Sequence, residues 1–124
     1  MKCYYFIFLI SITALWSCNN SESEENIFVL VKYKTQQNKN VEAVSALNTL
    51  ISEVEKEDHF IQINMYVDPN DNSNILLSEQ WDNEDYYKTE HMKTEHLQNF
   101  IEASSNFLAG PPEISFWKLN SSYK

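Results

Sequence analysis

The sequence has no arginine and one glycine, Gly110, in 124 residues. Without arginine there is no guanidinium to recognise a phosphate or carboxylate through two parallel hydrogen bonds. Nine lysines stand against eighteen acids, for a net charge of -9. A chain of that balance cannot neutralise a phosphate backbone or be drawn to anionic lipid, so nucleic acid is excluded as a partner. Cysteine is nearly absent: Cys3 and Cys18 both precede the first run able to fold, so the folded part has neither a disulfide framework nor a thiolate metal site. No metal is expected. Long apolar runs are missing too, the stretch from Tyr4 to Trp16 being shorter than the roughly 20 residues a spanning helix needs.

That short run still carries information. "MKCYYFIFLISITALWSC" places Lys2, an apolar stretch and the small Ser17 ahead of Cys18, the order of a cleaved secretory signal. Leu15, Ser17 and Cys18 resemble the apolar, small and acylated positions of a bacterial lipoprotein signal. The resemblance implies that residues 1–17 are removed, that Cys18 is lipidated, and that the chain sits in a bacterial cell envelope, periplasmic or surface-exposed. It would meet the membrane only through that anchor. Removal takes Lys2 away and shifts the charge from -9 to -10. "NNSESEEN" holds nothing that can pack, so residues 18–26 read as a flexible acidic tether. The domain is expected over 27–120, with 121–124 as a tail.

Within the domain, "IFVLVKYKT" is β-branched and aromatic, with apolar residues on both faces: Ile27, Val29, Val31 and Tyr33 against Phe28 and Leu30. It reads as a strand covered on both sides over its first half. Val41, Val44, Leu47, Ile51 and Val54 then recur at helical spacing behind Asn40, the expected N-cap, with Glu53, Glu55 and Glu57 on a solvated face. "HFIQINMYVD" and "ILLSEQW" alternate on either side of "PNDNSN", a hairpin. A single long helix is predicted from Asp82 or Asn83 to Gly110, closed by glycine as a left-handed C-cap before Pro111 and Pro112. "EISFWKL" is the last strand. The order is the βαββαβ of a ferredoxin-like α+β fold, a four-stranded antiparallel sheet with two helices on one face. Each strand is apolar on both sides, so the open face is expected to be covered by a second copy in a two-fold homodimer.

A strand ending in Glu-x-Trp (Glu79, Trp81), an acidic helix start, the pair Tyr86 and Tyr87, then His91, Thr94, His96 and Phe100 form an ordered series. With the proline-led "PPEISFW", it resembles the antibiotic biosynthesis monooxygenase family of dimeric α+β barrels over Ile27 to about Asn120. The resemblance implies a pocket inside each protomer that takes a small aromatic ligand. Members with known activity oxygenate phenols or quinols without metal or flavin, so no cofactor is implied, although one branch degrades haem. The haem-degrading branch carries an asparagine on its first strand that "IFVLVKYKT" lacks, and "EDHF" stands where many members have a glycine.

The candidate catalytic residues are His91, Trp81 and Glu79, with Tyr33, Tyr87, His96 and Phe100 as candidate substrate contacts. If Ile75 and Leu77 face the helices, Glu79 and Trp81 do too. Trp81 either fills the core or stacks on a substrate ring with its N–H as an orienting donor. His91 matches the family's first histidine and would serve as base or haem ligand, unless it is a packing residue. On one continuous helix His91 and His96 diverge by about 140°, so at most one would enter a pocket and they could not share a metal. An inward Glu79 must reach solvent, hold a histidine or titrate high. Tyr66 and Tyr86 are further phenolic donors, and His59 reads as a loop residue. The leading expectation is an envelope-anchored, cofactor-independent monooxygenase of a small aromatic or quinol. The competing readings are a non-catalytic module binding a small ligand or haem, and a purely structural dimer.

Overall fold

The computed structural model describes residues 26–124. The signal segment, Cys18 and all of the tether but Asn26 lie outside the described residues. The elements run β1 (Ile27–Lys34), α1 (Asn40–Val54), β2 (Phe60–Val67), β3 (Asn74–Trp81), α2 (Glu84–Lys88), a 3₁₀ turn (His91–Lys93), α3 (Glu95–Ser104) and β4 (Glu113–Lys118). The four strands form one antiparallel sheet in the order β2-β3-β1-β4. This is the ferredoxin-like α+β arrangement.

Alternation along the central strands decides which side is inside. Ile27, Val29, Val31 and Tyr33 of β1 and Ile75, Leu77, Glu79 and Trp81 of β3 are all buried under the helices. Phe28 and Leu30, on the opposite face, are half-buried. Asp68 and Asp71 bend the β2–β3 turn by accepting the backbone N–H of Asn70 at 2.9 Å and of Ser73 at 3.1 Å, the usual chemistry of aspartate in turns. A bulge between Phe60 and Gln62 leaves Ile61 out of the pairing and 40% exposed.

The helices depart from the sequence reading. The buried stripe of α1 is Ala43, Leu47, Leu50 and Val54, while Val41 is 76% exposed. A stripe drawn from large apolar residues alone passed over Ala43, whose small side chain lets the helix approach the sheet. Asn40 is the first helical residue, the cap position falls to Lys39, and no side chain caps that end. The long second helix is broken into α2, the 3₁₀ turn and α3. Thr94 is extended at the break, with φ -61° and ψ 145°, and its hydroxyl donates to the His91 carbonyl at 2.8 Å. Asn83 caps α2, its side chain accepting the Tyr86 N–H at 2.8 Å. Gly110 caps no helix, because α3 ends at Ser104 and no glycine has positive φ.

Candidate functional site

Between the inner face of the sheet and the helices lies a cavity of about 770 Å³. Its walls are mainly apolar, from Val31 and Leu77 of the sheet, Leu50 and Val54 of α1, and Leu97 and Phe100 of α3. Into this lining the chain sets Tyr33, Glu79, Tyr87 and His91. The apolar enclosure strengthens every polar interaction those four groups make.

Glu57 organises one side of the site. The sequence reading put it on a solvated helix face, yet its side chain is only 6% exposed, because the chain turns inward past the end of α1. Three donors converge on its carboxylate. The Tyr86 hydroxyl donates to Oε1 at 3.0 Å, His91 Nδ1 lies 3.0 Å from both oxygens, and His96 Nε2 lies 2.7 Å from Oε2. A carboxylate can only accept, so Nδ1 of His91 carries the hydrogen and Nε2 remains as the basic nitrogen of a cavity-lining ring. Burial pulls the His91 pKa below its usual value, opposed by the hydrogen bond and charge of Glu57. The neutral ring is therefore the resting form at pH 7.

The angular argument for the two histidines fails with the helix it assumed. The break at Thr94 re-aims His96, and both rings reach one carboxylate. Only His91 lines the cavity; the His96 side chain is 23% exposed behind Glu57. Among the described residues no group of three or more His, Cys, Asp or Glu side chains is arranged to hold a metal.

Glu79 also lines the cavity. Its Oε2 accepts the Trp81 indole N–H at 2.9 Å, and its pKa is pushed up to about 7. Burial is the main cause, with the Trp81 hydrogen bond opposing it and the charge of Glu57 adding to it. Of the alternatives left open for an inward glutamate, its burial and its indole partner favour high titration. Trp81 is fully buried and does not line the cavity. Its ring packs at 4.7 Å from His91, 5.4 Å from Tyr87 and 5.7 Å from Phe60, so it holds the histidine and Glu79 in place from behind. Tyr87 stacks on His91 at 4.7 Å and 27°. Tyr33 lies edge-on to Phe100 at 6.0 Å. Burial first, then the Glu79 charge, raise the phenolic pKa of both tyrosines well above the ordinary value, so both remain hydroxyl donors.

Tyr86 serves Glu57, its own pKa pushed up to about 12 by burial and that hydrogen bond. Tyr66 is exposed at the far end of the sheet from Trp81. His59 sits in the turn before β2 with φ 72°, its Nδ1 2.6 Å from Asp82.

The family model described as Antibiotic biosynthesis monooxygenase matches residues 26–103. The uncharacterized protein sll1783 of Synechocystis sp. is 28% identical over 100 residues, covering 78% of this chain; the chain spans 65% of that relative's length. A conserved protein of Methanosarcina mazei Go1 superposes with a TM-score of 0.70 at 23% identity, over 78% of this chain and 95% of its own. A Nitrosomonas europaea structure provisionally named an antibiotic biosynthesis monooxygenase gives a TM-score of 0.71 at 12% identity, over 78% and 92%. At these identities the structural likenesses speak for the fold.

Proposed function

Since the chain belongs to the antibiotic biosynthesis monooxygenase family, we propose that it oxygenates a small phenol, naphthol or quinol inside the cavity, with His91 as the base. One observation carries this reading: a neutral imidazole on an apolar cavity wall whose Nδ1 is held by a buried carboxylate. That arrangement fixes the ring's tautomer and aims Nε2 at a ligand, as general base catalysis requires.

The reaction draws its electrons from the substrate. Nε2 of His91 takes the hydroxyl proton, and the electron-rich anion reduces dioxygen, forming a carbon–oxygen bond at a ring carbon that bears hydrogen, para to the hydroxyl of a phenol or 1-naphthol and beside a hydroxyl of a quinol. The O–O bond of the resulting peroxide breaks as that carbon loses its hydrogen. One oxygen stays as a quinone carbonyl, and the other leaves as water carrying both hydrogens. Glu79, which titrates near neutrality, supplies a proton to the departing oxygen, and the Tyr33 and Tyr87 hydroxyls donate to the oxyanion. Trp81 is a positioning residue in this scheme, while Phe100 and the neighbouring apolar wall hold the ring.

Haem suits this lining poorly. His91 could meet an iron, but the two propionates would find no arginine in the chain and no lysine on the cavity wall.

The test is oxygen uptake by the purified protein with hydroquinones and naphthols in the presence of chelator. His91→Ala is expected to lose at least about a hundredfold in kcat, the lower end of general acid–base contributions, and Glu57→Gln about tenfold. Uptake no faster than the spontaneous rate in the wild type would remove the reading. The proposal includes a homodimer packed through the outer sheet face, and a cell-envelope location through lipid on Cys18, supported by the "LWSC" signal. Cys18→Ser should move the protein from the membrane to the soluble fraction and abolish labelling by a fatty acid; unchanged labelling would refute the anchor.

A further inference from the structure

The polar groups at the cavity head have an unusual balance. His91 presents a nitrogen that accepts, and Glu79, with Oε2 occupied by the Trp81 N–H, presents its other oxygen, again an acceptor when ionised. Tyr33 and Tyr87 add two hydroxyls. No lysine lines the cavity, and the chain has no arginine. The remaining wall is aliphatic and aromatic.

We infer that the cavity selects an uncharged hydroxylated aromatic and rejects the same ring bearing a carboxylate, with Glu79 as the selecting residue. The inference rests on the reading of this cavity as the ligand site and narrows its substrate class. A neutral hydroxyl donates to His91 or Glu79 and accepts from Tyr33 or Tyr87, leaving no partner unpaired. An anionic ligand sets a second negative charge beside Glu79 with no cation to offset it. Like charges at that range in a protein interior separate the two ligands by on the order of a hundredfold in affinity.

The groups that face Glu79 set how this discrimination varies with pH. They are Tyr33 of β1, Glu57 from the α1–β2 connection, Tyr87 of α2 and His91 of the 3₁₀ turn, with Trp81 on its own strand. On β4 the inner-face cation, Lys118, acts on Glu84 at the start of α2. The tyrosines stay protonated and burial favours the neutral His91 ring, so Glu79 is the group of this set that changes near neutrality.

The experiment is equilibrium binding of 1-naphthol and of 4-hydroxy-1-naphthoate to the full chain under argon, at about pH 8 and about pH 6. At the higher pH naphthol is expected to bind roughly a hundredfold more tightly than the acid. The gap narrows about tenfold at the lower pH as Glu79 gains its proton while the ligand stays charged. Glu79→Gln, which keeps an acceptor for the Trp81 N–H, should bring the acid close to naphthol and remove the pH dependence. Equal binding of both ligands by the wild type, no binding of naphthol, or unchanged discrimination in Glu79→Gln would each overturn the inference. If that variant does not fold, the wild-type pH series decides alone: a constant gap overturns it. Admitting oxygen to the same samples separates the two ideas, because selective binding without uptake sinks the proposed reaction and leaves the selectivity standing.

Discussion

Glu79 is a liability at the scale of one residue. In the unfolded chain it has the ordinary carboxyl value of 4.5, and folding raises it to about 7. The folded protein therefore holds this proton more tightly than the unfolded one. The stabilising contribution is complete below about pH 4.5 and is lost as pH rises through 7. A shift of this size amounts to about 3 kcal/mol, a large share of a small domain's stability. His91 acts in the opposite sense: its folded pKa is depressed, so its contribution is present above the unfolded value and lost as pH falls. The difference between wild type and Glu79→Gln cancels the histidine. Urea unfolding of both proteins from about pH 5 to pH 8 should show the wild type losing about 3 kcal/mol relative to the variant. Parallel curves would mean that the carboxyl is not desolvated. A polar group this costly on a cavity wall is the kind of feature function retains.

At the scale of elements, the break in the second helical region makes the site. A continuous helix would carry His91 and His96 to different faces; with Thr94 extended between them, both meet Glu57. The strands were legible because burial on a pleated sheet has period two, and Ile75, Leu77, Glu79 and Trp81 announce their shared face directly. The break was harder to see, since "YYKTEHMKTEHLQNF" consists largely of residues a helix tolerates. Its one local sign was Thr94 followed by Glu95, a helix start inside an apparent helix. Glu57 was illegible for another reason: it follows the end of α1, where no periodicity assigns a direction. Pattern singled out His91 and Glu79 as candidates, and Glu57, the carboxylate that holds His91, came from the structure alone. The cap of α2 offers a check on this segment. Asn83→Ala removes the acceptor for the Tyr86 N–H and is expected to cost about 1 kcal/mol in urea unfolding. Because Tyr86 and Tyr87 hang on that short helix, the affinity for naphthol should fall with it. Unchanged stability would place the control of α2 elsewhere.

For the whole molecule the apolar surface left to cover is the outer face of the sheet. Phe28 and Leu30 of β1 and Leu76 of β3 are half-buried there, Trp117 of β4 is 56% exposed, and Tyr66 of β2 is 52% exposed. In register Phe28 lies beside Trp117 and Tyr66 beside Leu76, two apolar pairs with Leu30 between them, flanked by Ser78 and Ser115. Three strands of eight residues and one of six, at about 3.4 Å per residue and set about 4.8 Å apart, give a face of roughly 500 Å² before side-chain relief. That approaches the area of about 800 Å² per partner that a specific interface buries. A two-fold pairing sets the patch against itself and needs no second surface. Polar Ser78, Gln80 and Ser115 stand among these residues on the same face and can supply hydrogen bonds across the pairing. Leu30→Glu combined with Trp117→Glu puts four carboxylates into such an interface. Sedimentation velocity is then expected to show a dimer for the wild type and a monomer for the variant at micromolar concentration. The cavity opens on the other face, so naphthol binding should survive in the monomer. A wild-type monomer at the highest soluble concentration would reject the pairing, and loss of binding with the dimer would mean that the partner shapes the cavity.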